Sequence, residues 1–480
     1  MYFTSSIPYV NAPPHIGHAL EFIQADVLAR YYKLAGKDVI LQTGTDENAF
    51  KNVLAAKKLG IPTQELVDRN AGIFKDLISA LNVEADAFIR TTEDRHHQTV
   101  KTLWSRLKPH DIYRKKYQGL YCDGCEDFYQ EKDLVDGLCP DHQSVPRPVE
   151  EENIFFRLSS YQEKLKDLIE SGRLKITPEK RKPEILAFIN RGLQDISVSR
   201  SAERAGGWGI KVPGDDSQVI YVWIDALVNY ISGQNKLFEE ILEDHNSPEL
   251  SQSNYNTTWT EQNQKIHVIG KNIWKFHAIY WPALLLSAEW PLPNELVIHG
   301  FLTSNGKKVG KSLGNAIDPF EFIQKYGSDG FRHYLTTLSP FDDGDFTAER
   351  IQTVYIKDCA NTLGNVVKRI TTLAQRASHN FKREPIKEIP GLHQAFENRE
   401  LDKASHILWE RLRLLNQFIE YAKPWELLKV NNPKIHDYLN SWLNDIYNTV
   451  HWLSPFIPMA AAKVAAMTPH QSDLVLFPKC

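Results

Sequence analysis

The N-terminal segment alternates in a way that few folds accept. "MYFTSSIPYV" is a run of aromatic, Thr, Ile and Val residues with the composition of a strand. Leu20, Ile23, Val27, Tyr31 and Leu34 then recur at helical spacing until Gly36, and "KDVILQTGTDE" reads as a second strand. Two strands joined through a helix pair in parallel, which predicts an α/β sheet. The loop that opens the helix lies in "NAPPHIGHALEFIQAD". Pro13 and Pro14 bar the helix from starting earlier, and Gly17 lets a ligand approach the backbone. His15 and His18 therefore stand at the positive helix end, where a phosphate would bind.

At 480 residues the chain exceeds what one growing core accommodates, so about two to four domains are expected. A net charge of −4 excludes a globally basic nucleic-acid binder and leaves a local basic face open. No apolar run approaches membrane-spanning length, and strand composition begins at Tyr2 without a targeting pattern, so a cytoplasmic protein with no membrane partner is expected.

Five cysteines are too few for a disulfide framework in a chain this long. Three cluster as Cys122-x2-Cys125-x13-Cys139-x2-His142, with Asp123-Gly124 and Pro140-Asp141 as turn residues inside the pairs. Two tight turns that each present two soft ligands predict a closed Cys3His site for one structural Zn2+. Cys359 lies in a helical pattern and Cys480 is terminal, and neither has an evident ligand role.

Strand and helix signals alternate over residues 1–115, the first half of a Rossmann-type parallel sheet domain. An insertion with the zinc knuckle occupies 116–215, and its part after the knuckle reads as helical, with a Lys/Arg-rich stretch at 173–183. Strand signals return in "SQVIYVWIDALV", "KIHVIG" and "ELVIHGFLTSNGKK", which assigns 216–320 to the second half of the sheet domain. Residues 321–348 form a link, and 349–480 carry amphipathic helices joined by short turns, an all-α bundle. Residues 379–391 read as a loop within that bundle.

Near residue 300 a strand leads through Ser304-Asn305-Gly306 to a loop bearing Lys307, Lys308 and Lys311 around Gly310. Lysines on a glycine-containing loop can swing onto a polyphosphate. His-Ile-Gly-His after the first strand and Lys-Val-Gly-Lys-Ser after a late one together resemble the HIGH and KMSKS signatures of class I aminoacyl-tRNA synthetases. Within that class the chain is similar to the methionyl-tRNA synthetase family. "SIPYVNAPPHIGHALEFIQAD", "GTDE", "YVWIDALVNY", "FHAIYWPALL", "GFLTSNGKKVGKS", "LGNVVKR" and "KPWELL" follow that family in order, and the knuckle falls where the family carries one.

The resemblance implies a methionine–tRNA ligase that uses ATP with Mg2+ to form methionyl-adenylate and pyrophosphate, then transfers methionyl to the terminal 2′-hydroxyl of tRNA(Met). His15, Gly17, His18, Lys308 and Lys311 would bind ATP, with the two histidines, the two lysines and Asp46 as the catalytic set. Asp46 would meet the methionine amino group. Ile7, Tyr9, Trp223, Ala226, Leu227, Tyr230, Ile273 and His277 would wall the thioether, since sulfur gains from aromatic contact. Asn365 and Arg369, four apart on one helix face, and Trp425 would read the CAU anticodon by base-edge bonds and stacking.

Three departures stand out: Asn48-Ala49 where the family has His-Gly, Gly270-Lys271-Asn272 where it has GKD, and Val309-Gly310 in place of Met-Ser. An asparagine can still hydrogen-bond but carries no charge near neutral pH. The alternatives are another class I nucleotidyl transferase, which would have no use for Asn365, Arg369 and Trp425, and a divergent synthetase paralogue with reduced or altered activity. The chain has no room for a large editing insertion and nothing resembling an appended dimerisation module, so a monomer is expected.

Overall fold

The computed structural model describes residues 1–122, 127–129, 131–140, 143–233, 259–304, 306–309, 316–469, 471 and 475–478. For Asp127, Phe128, Lys132, Lys307 and Lys308 it describes the backbone alone. Six strands form a parallel sheet: β1 (Tyr2–Ser5), β2 (Ile40–Thr45), β3 (Ala87–Arg90), β4 (Lys175–Thr177), β5 (Lys265–Gly270) and β6 (Glu295–His299). Their order is β3-β2-β1-β5-β6-β4, and every pairing is parallel. From β1 the chain moves outward to β2 and β3, then returns on the other side of β1 with β5. The order therefore reverses at β1, and an open sheet of this kind leaves its crevice beyond the carboxyl ends of the two strands at the reversal.

Helix α1 (Ile16–Leu34) follows β1 and covers one sheet face with Ile16, Leu20, Ile23 and Val27. Every residue of β1, β5 and β6 is buried, as strands covered on both faces must be. These three strands and α1 occupy the positions that the strand and helix patterns predict.

The insertion differs from its helical reading. Ile112–Cys122 and Arg147–Phe156 form a long antiparallel ribbon, paired from Ile112↔Phe156 to Tyr121↔Arg147. The helices Gln162–Glu170 and Lys182–Asn190 follow, but between them β4 joins the main sheet beside β6. A three-residue edge strand is too short to show a period in the sequence, and the basic residues around it mask it further. Its backbone is tied in by Lys175 N–H donating to Asn294 O at 2.8 Å.

The stretch "SQVIYVWIDALV" is also corrected. Asp215–Ile220 is a strand of a small antiparallel sheet with Ser199–Ser201 and Lys211–Val212, and α2 (Val222–Leu227) is a helix. A short run that is buried on nearly all sides has no polar face, so spacing alone cannot tell the two conformations apart.

After α3 (Pro319–Thr337) come the bundle helices α4 (Asn365–Arg376), α5 (Leu401–Ala422), α6 (Pro424–Lys429) and α7 (Lys434–Leu453). The loop at 379–391 is strapped along α7 by an asparagine ladder. Asn440, Asn444 and Asn448, one turn apart, accept the backbone N–H groups of Lys382, Glu384 and Lys387 at 3.0, 2.8 and 2.7 Å. Two buried arginines fasten the bundle to the sheet domain. Arg332 donates to Asp26 of α1 and to Pro455 O, both at 2.6 Å, and Arg399 donates to Glu295 of β6 at 2.6 Å. Removing one partner would strand a buried charge, so these pairs hold the two parts in one fixed relation. Among the described residues no helix is long and apolar enough to cross a membrane.

Candidate active site

The start of α1 is built from the two histidines. His15 is the N-cap residue, and its Nδ1 accepts the Gly17 N–H at 3.0 Å. Reciprocally, His18 Nδ1 accepts the His15 N–H at 3.1 Å, and the two rings stack with centroids 3.9 Å apart. An imidazole that accepts through Nδ1 carries its proton on Nε2 when neutral, so each ring offers Nε2–H as a donor at the helix end. The structure gives Gly17 a reason other than ligand approach. A Cβ there would lie 2.8 Å from His15 Cε1 and displace the capping ring.

The lysine loop belongs to a second small sheet. Leu302–Ser304 pairs antiparallel with Lys307–Lys308 and parallel with Gly344–Asp345. Gly306 N–H donates to Asp345 Oδ1 at 3.0 Å, which pins the turn. Val309, one of the departures, is buried in the core, and its N–H donates to Leu302 O at 3.1 Å, so it anchors the strand's end. Lys308 lies opposite Thr303 through its backbone, whereas its side chain and all of Gly310 and Lys311 lie outside the described residues. Beyond them the chain returns to the histidines, where Ile16 N–H donates to Ile317 O at 3.1 Å.

Beyond β1, all nine residues expected to hold the amino acid line one cleft: Ile7, Tyr9, Asp46, Trp223, Ala226, Leu227, Tyr230, Ile273 and His277. Among the described residues, Ser6 and Asn229 also line it. Asp46 is buried at the end of β2, where its N–H donates to Pro8 O at 2.8 Å and its backbone bridges Tyr9. Trp223 lies flat on Phe276 at 3.7 Å and meets the Tyr9 ring edge-on at 6.2 Å. The floor is polar but neutral. His277, on a π-helical turn at Phe276–Tyr280, donates from Nδ1 to Ile273 O at 2.9 Å, and its Nε2 accepts the Tyr230 hydroxyl at 2.7 Å.

Burial pushes His277 down to about 4 and holds the Tyr230 hydroxyl well above its usual range. Among the described residues, the cleft thus combines one carboxylate with uncharged aromatic walls. Acidification protonates the unfolded imidazole first, near 6.5, and the buried ring only near 4. The stability that this group confers is therefore whole above pH 6.5 and is lost as pH falls towards 4. We expect His277→Gln to narrow the gap between urea midpoints measured at pH 7 and pH 5. An unchanged gap would mean that other groups carry the acid sensitivity.

A family model described as "tRNA synthetases class I (M)" matches residues 1–147 and 142–371. Methionine–tRNA ligase of Brucella suis is 36% identical over 96% of this chain and 90% of that protein. The Synechocystis methionine–tRNA ligase is 38% identical over 96% of this chain and 88% of its own length. This chain belongs to the class I methionyl-tRNA synthetase family. Mycobacterium tuberculosis methionyl-tRNA synthetase in complex with methionyl-adenylate has the same fold, with a TM-score of 0.87 at 33% identity over 98% of this chain and 94% of that one.

Against the synthetase pattern, Asn48 finds a defined place. Its amide donates to Asp225 Oδ2 at 2.8 Å and to Thr91 O at 3.0 Å. The sequence reading missed Asp225 and its second partner, His96, although an aspartate inside the apolar run "VWIDALV" is itself a signal of a satisfied buried charge. Ser6, also missed, is held by Glu21 of α1, which accepts its N–H at 2.6 Å.

The other expected sites lie outside the crevice. Cys122 and Cys139 are buried, and Ser144 links them: its carbonyl accepts the Cys139 N–H at 2.9 Å, and its Oγ lies 3.8 Å from Cys122 Sγ. Cys125 and His142 lie outside the described residues. In the bundle, Asn365 is exposed at the first turn of α4. Arg369 is held by Asn416 at 3.0 Å and Glu420 at 2.8 Å, and its guanidinium stands 6.0 Å from the Trp425 ring centroid.

Proposed function

We propose that the chain joins L-methionine to tRNA(Met) in two steps at the crevice beyond β1 and β5. The observation that carries this reading is the convergence of Asp46 with Tyr9, Trp223, Tyr230 and His277 around one cleft, at the near end of the loop that leads to His15 and His18. Asp46 fixes the amino group, and the neutral aromatic walls take the thioether. The carboxylate then attacks the α-phosphorus of ATP in line, and pyrophosphate leaves. Charge builds on the equatorial and leaving oxygens, so catalysis consists chiefly of donors placed to meet it. The Nε2–H groups of His15 and His18 at the α1 terminus supply one side of that donor set, and Lys308 and Lys311 supply the other. Mg2+, arriving with ATP, contributes charge neutralisation on the phosphates. In the second step the 2′-hydroxyl of the terminal tRNA ribose attacks the carbonyl carbon of the adenylate, and AMP leaves. Methionine-dependent exchange of pyrophosphate into ATP tests the first step, and exchange that is indifferent to methionine would refute it.

The same reading assigns tRNA to the bundle, with Asn365, Arg369 and Trp425 at the anticodon. It also assigns residues 1–115 and 216–320 to the catalytic domain, 116–215 to the insertion, 321–348 to the link and 349–480 to the anticodon domain. It places the enzyme in the cytoplasm, where its substrates meet, as a monomer.

The knuckle residues fit a structural zinc. Cys122 and Cys139 are buried soft donors, and Ser144, bonded to the Cys139 backbone, lies 3.8 Å through Oγ from Cys122 Sγ; Cys125 and His142 would complete the ligand set. Zinc bound there supplies folding energy to the insertion. We expect one zinc per chain in freshly purified protein and loss of it in Cys139→Ala, with aminoacylation reduced more than pyrophosphate exchange. Metal analysis that finds none would remove the zinc from this account.

A further inference from the structure

Asp225 is wholly buried in α2, and each of its carboxylate oxygens has a partner. Asn48 donates to Oδ2 at 2.8 Å, and His96 Nε2 lies 2.5 Å from Oδ1. His96 in turn is held through Nδ1, 2.7 Å from Ser232 Oγ, while the second amide hydrogen of Asn48 goes to Thr91 O. Asn48 stands two residues after Asp46, and Asp225 two residues after Trp223. The Asn48–Asp225 bond therefore ties together, from behind, the two walls between which the amino acid must fit. Helix α2 has only six residues and cannot hold its own position, so its placement depends on what it is bonded to.

We propose that Asn48 is a positioning residue for methionine: through Asp225 it holds the Trp223, Ala226 and Leu227 wall at the spacing from Asp46 that the bound amino acid requires. This inference rests on the methionine reading of the cleft. Loss of the amide leaves a buried carboxylate oxygen and the Thr91 carbonyl without that donor, and α2 shifts to compensate. The histidines at α1 are fixed by their own cap bonds, so the phosphate end of the crevice is spared.

The test is pyrophosphate exchange by the full chain, with methionine and ATP varied separately. Asn48→Ala should raise the methionine KM about tenfold, the worth of one buried hydrogen bond, while kcat and the ATP KM stay within about twofold. Asn48→His, which can still donate, should restore the methionine KM. Asp225→Ala, which removes the acceptor, should also raise it, and the Asn48→Ala/Asp225→Ala double variant should be no worse than Asp225→Ala alone, because Asn48 reaches α2 through that carboxylate. An unchanged methionine KM in Asn48→Ala would overturn the proposal. So would a joint shift of kcat and both KM values accompanied by a lower Tm, which marks a general structural role, or effects that multiply in the double variant. A parent enzyme without methionine-dependent exchange would instead refute the reading of the cleft itself.

Discussion

Substitution of His18 by alanine is expected to lower kcat for adenylate formation roughly 10²- to 10³-fold, the usual loss for one donor aimed at transition-state charge. The ATP KM should rise far less, because that donor acts where charge develops rather than on the ground-state phosphates. The geometry warns of a confounding effect. His18 Nδ1 also accepts the His15 N–H, so alanine removes half of the α1 cap and costs about 1 kcal/mol of stability. Asparagine separates the two roles, since its side-chain oxygen can accept that N–H but cannot reproduce Nε2–H at the same distance. We expect His18→Asn to recover the parent Tm while remaining slow. On the proposed role, Lys311→Ala should show the same kcat signature from the opposite side of the phosphates. Exchange at the parent rate in a folded variant would remove that residue from the mechanism.

The elements that place these groups were legible because local pattern and burial agree. Helix α1 begins after Pro13-Pro14 and runs to Leu34 just as its apolar spacing and Gly36 predict, since one face must meet the sheet. The cleft was legible only through family resemblance. Ile7, Trp223 and His277 lie far apart in the chain, and nothing in their spacing says that they meet. Where pattern failed, the physical cause is specific. Helix α2 is apolar on almost every side, and β4 earns its place in the sheet through backbone bonds and Glu295, not through apolar periodicity. Asn48 was noticed as a departure, yet its partner could not be inferred. A side-chain amide finds its acceptors by tertiary proximity, here 177 residues along the chain.

The bundle offers the prediction that is independent of the reacting atoms. Trp425 is 36% exposed, so part of its indole is open for a base to stack on. Arg369 stands over its ring, and Asn416 and Glu420 of α5 hold that guanidinium in place. A fixed cation beside an open indole is a platform suited to an unpaired base. Trp425→Ala should remove stacking worth about 1–3 kcal/mol, which is roughly 5- to 150-fold in aminoacylation. Pyrophosphate exchange without tRNA should stay near the parent rate, because among the described residues the amino-acid cleft beyond β1 is lined by none from α4 to α7. Arg369→Ala should weaken charging as well and narrow the preference for a CAU anticodon over altered ones. The bundle is nevertheless locked to the sheet domain through Arg332 and Arg399, so a substitution that loosened its packing would be felt in both reactions. Equal losses in exchange and aminoacylation, measured on the same preparations, would therefore make Trp425 a packing residue, and unimpaired charging would place the anticodon elsewhere.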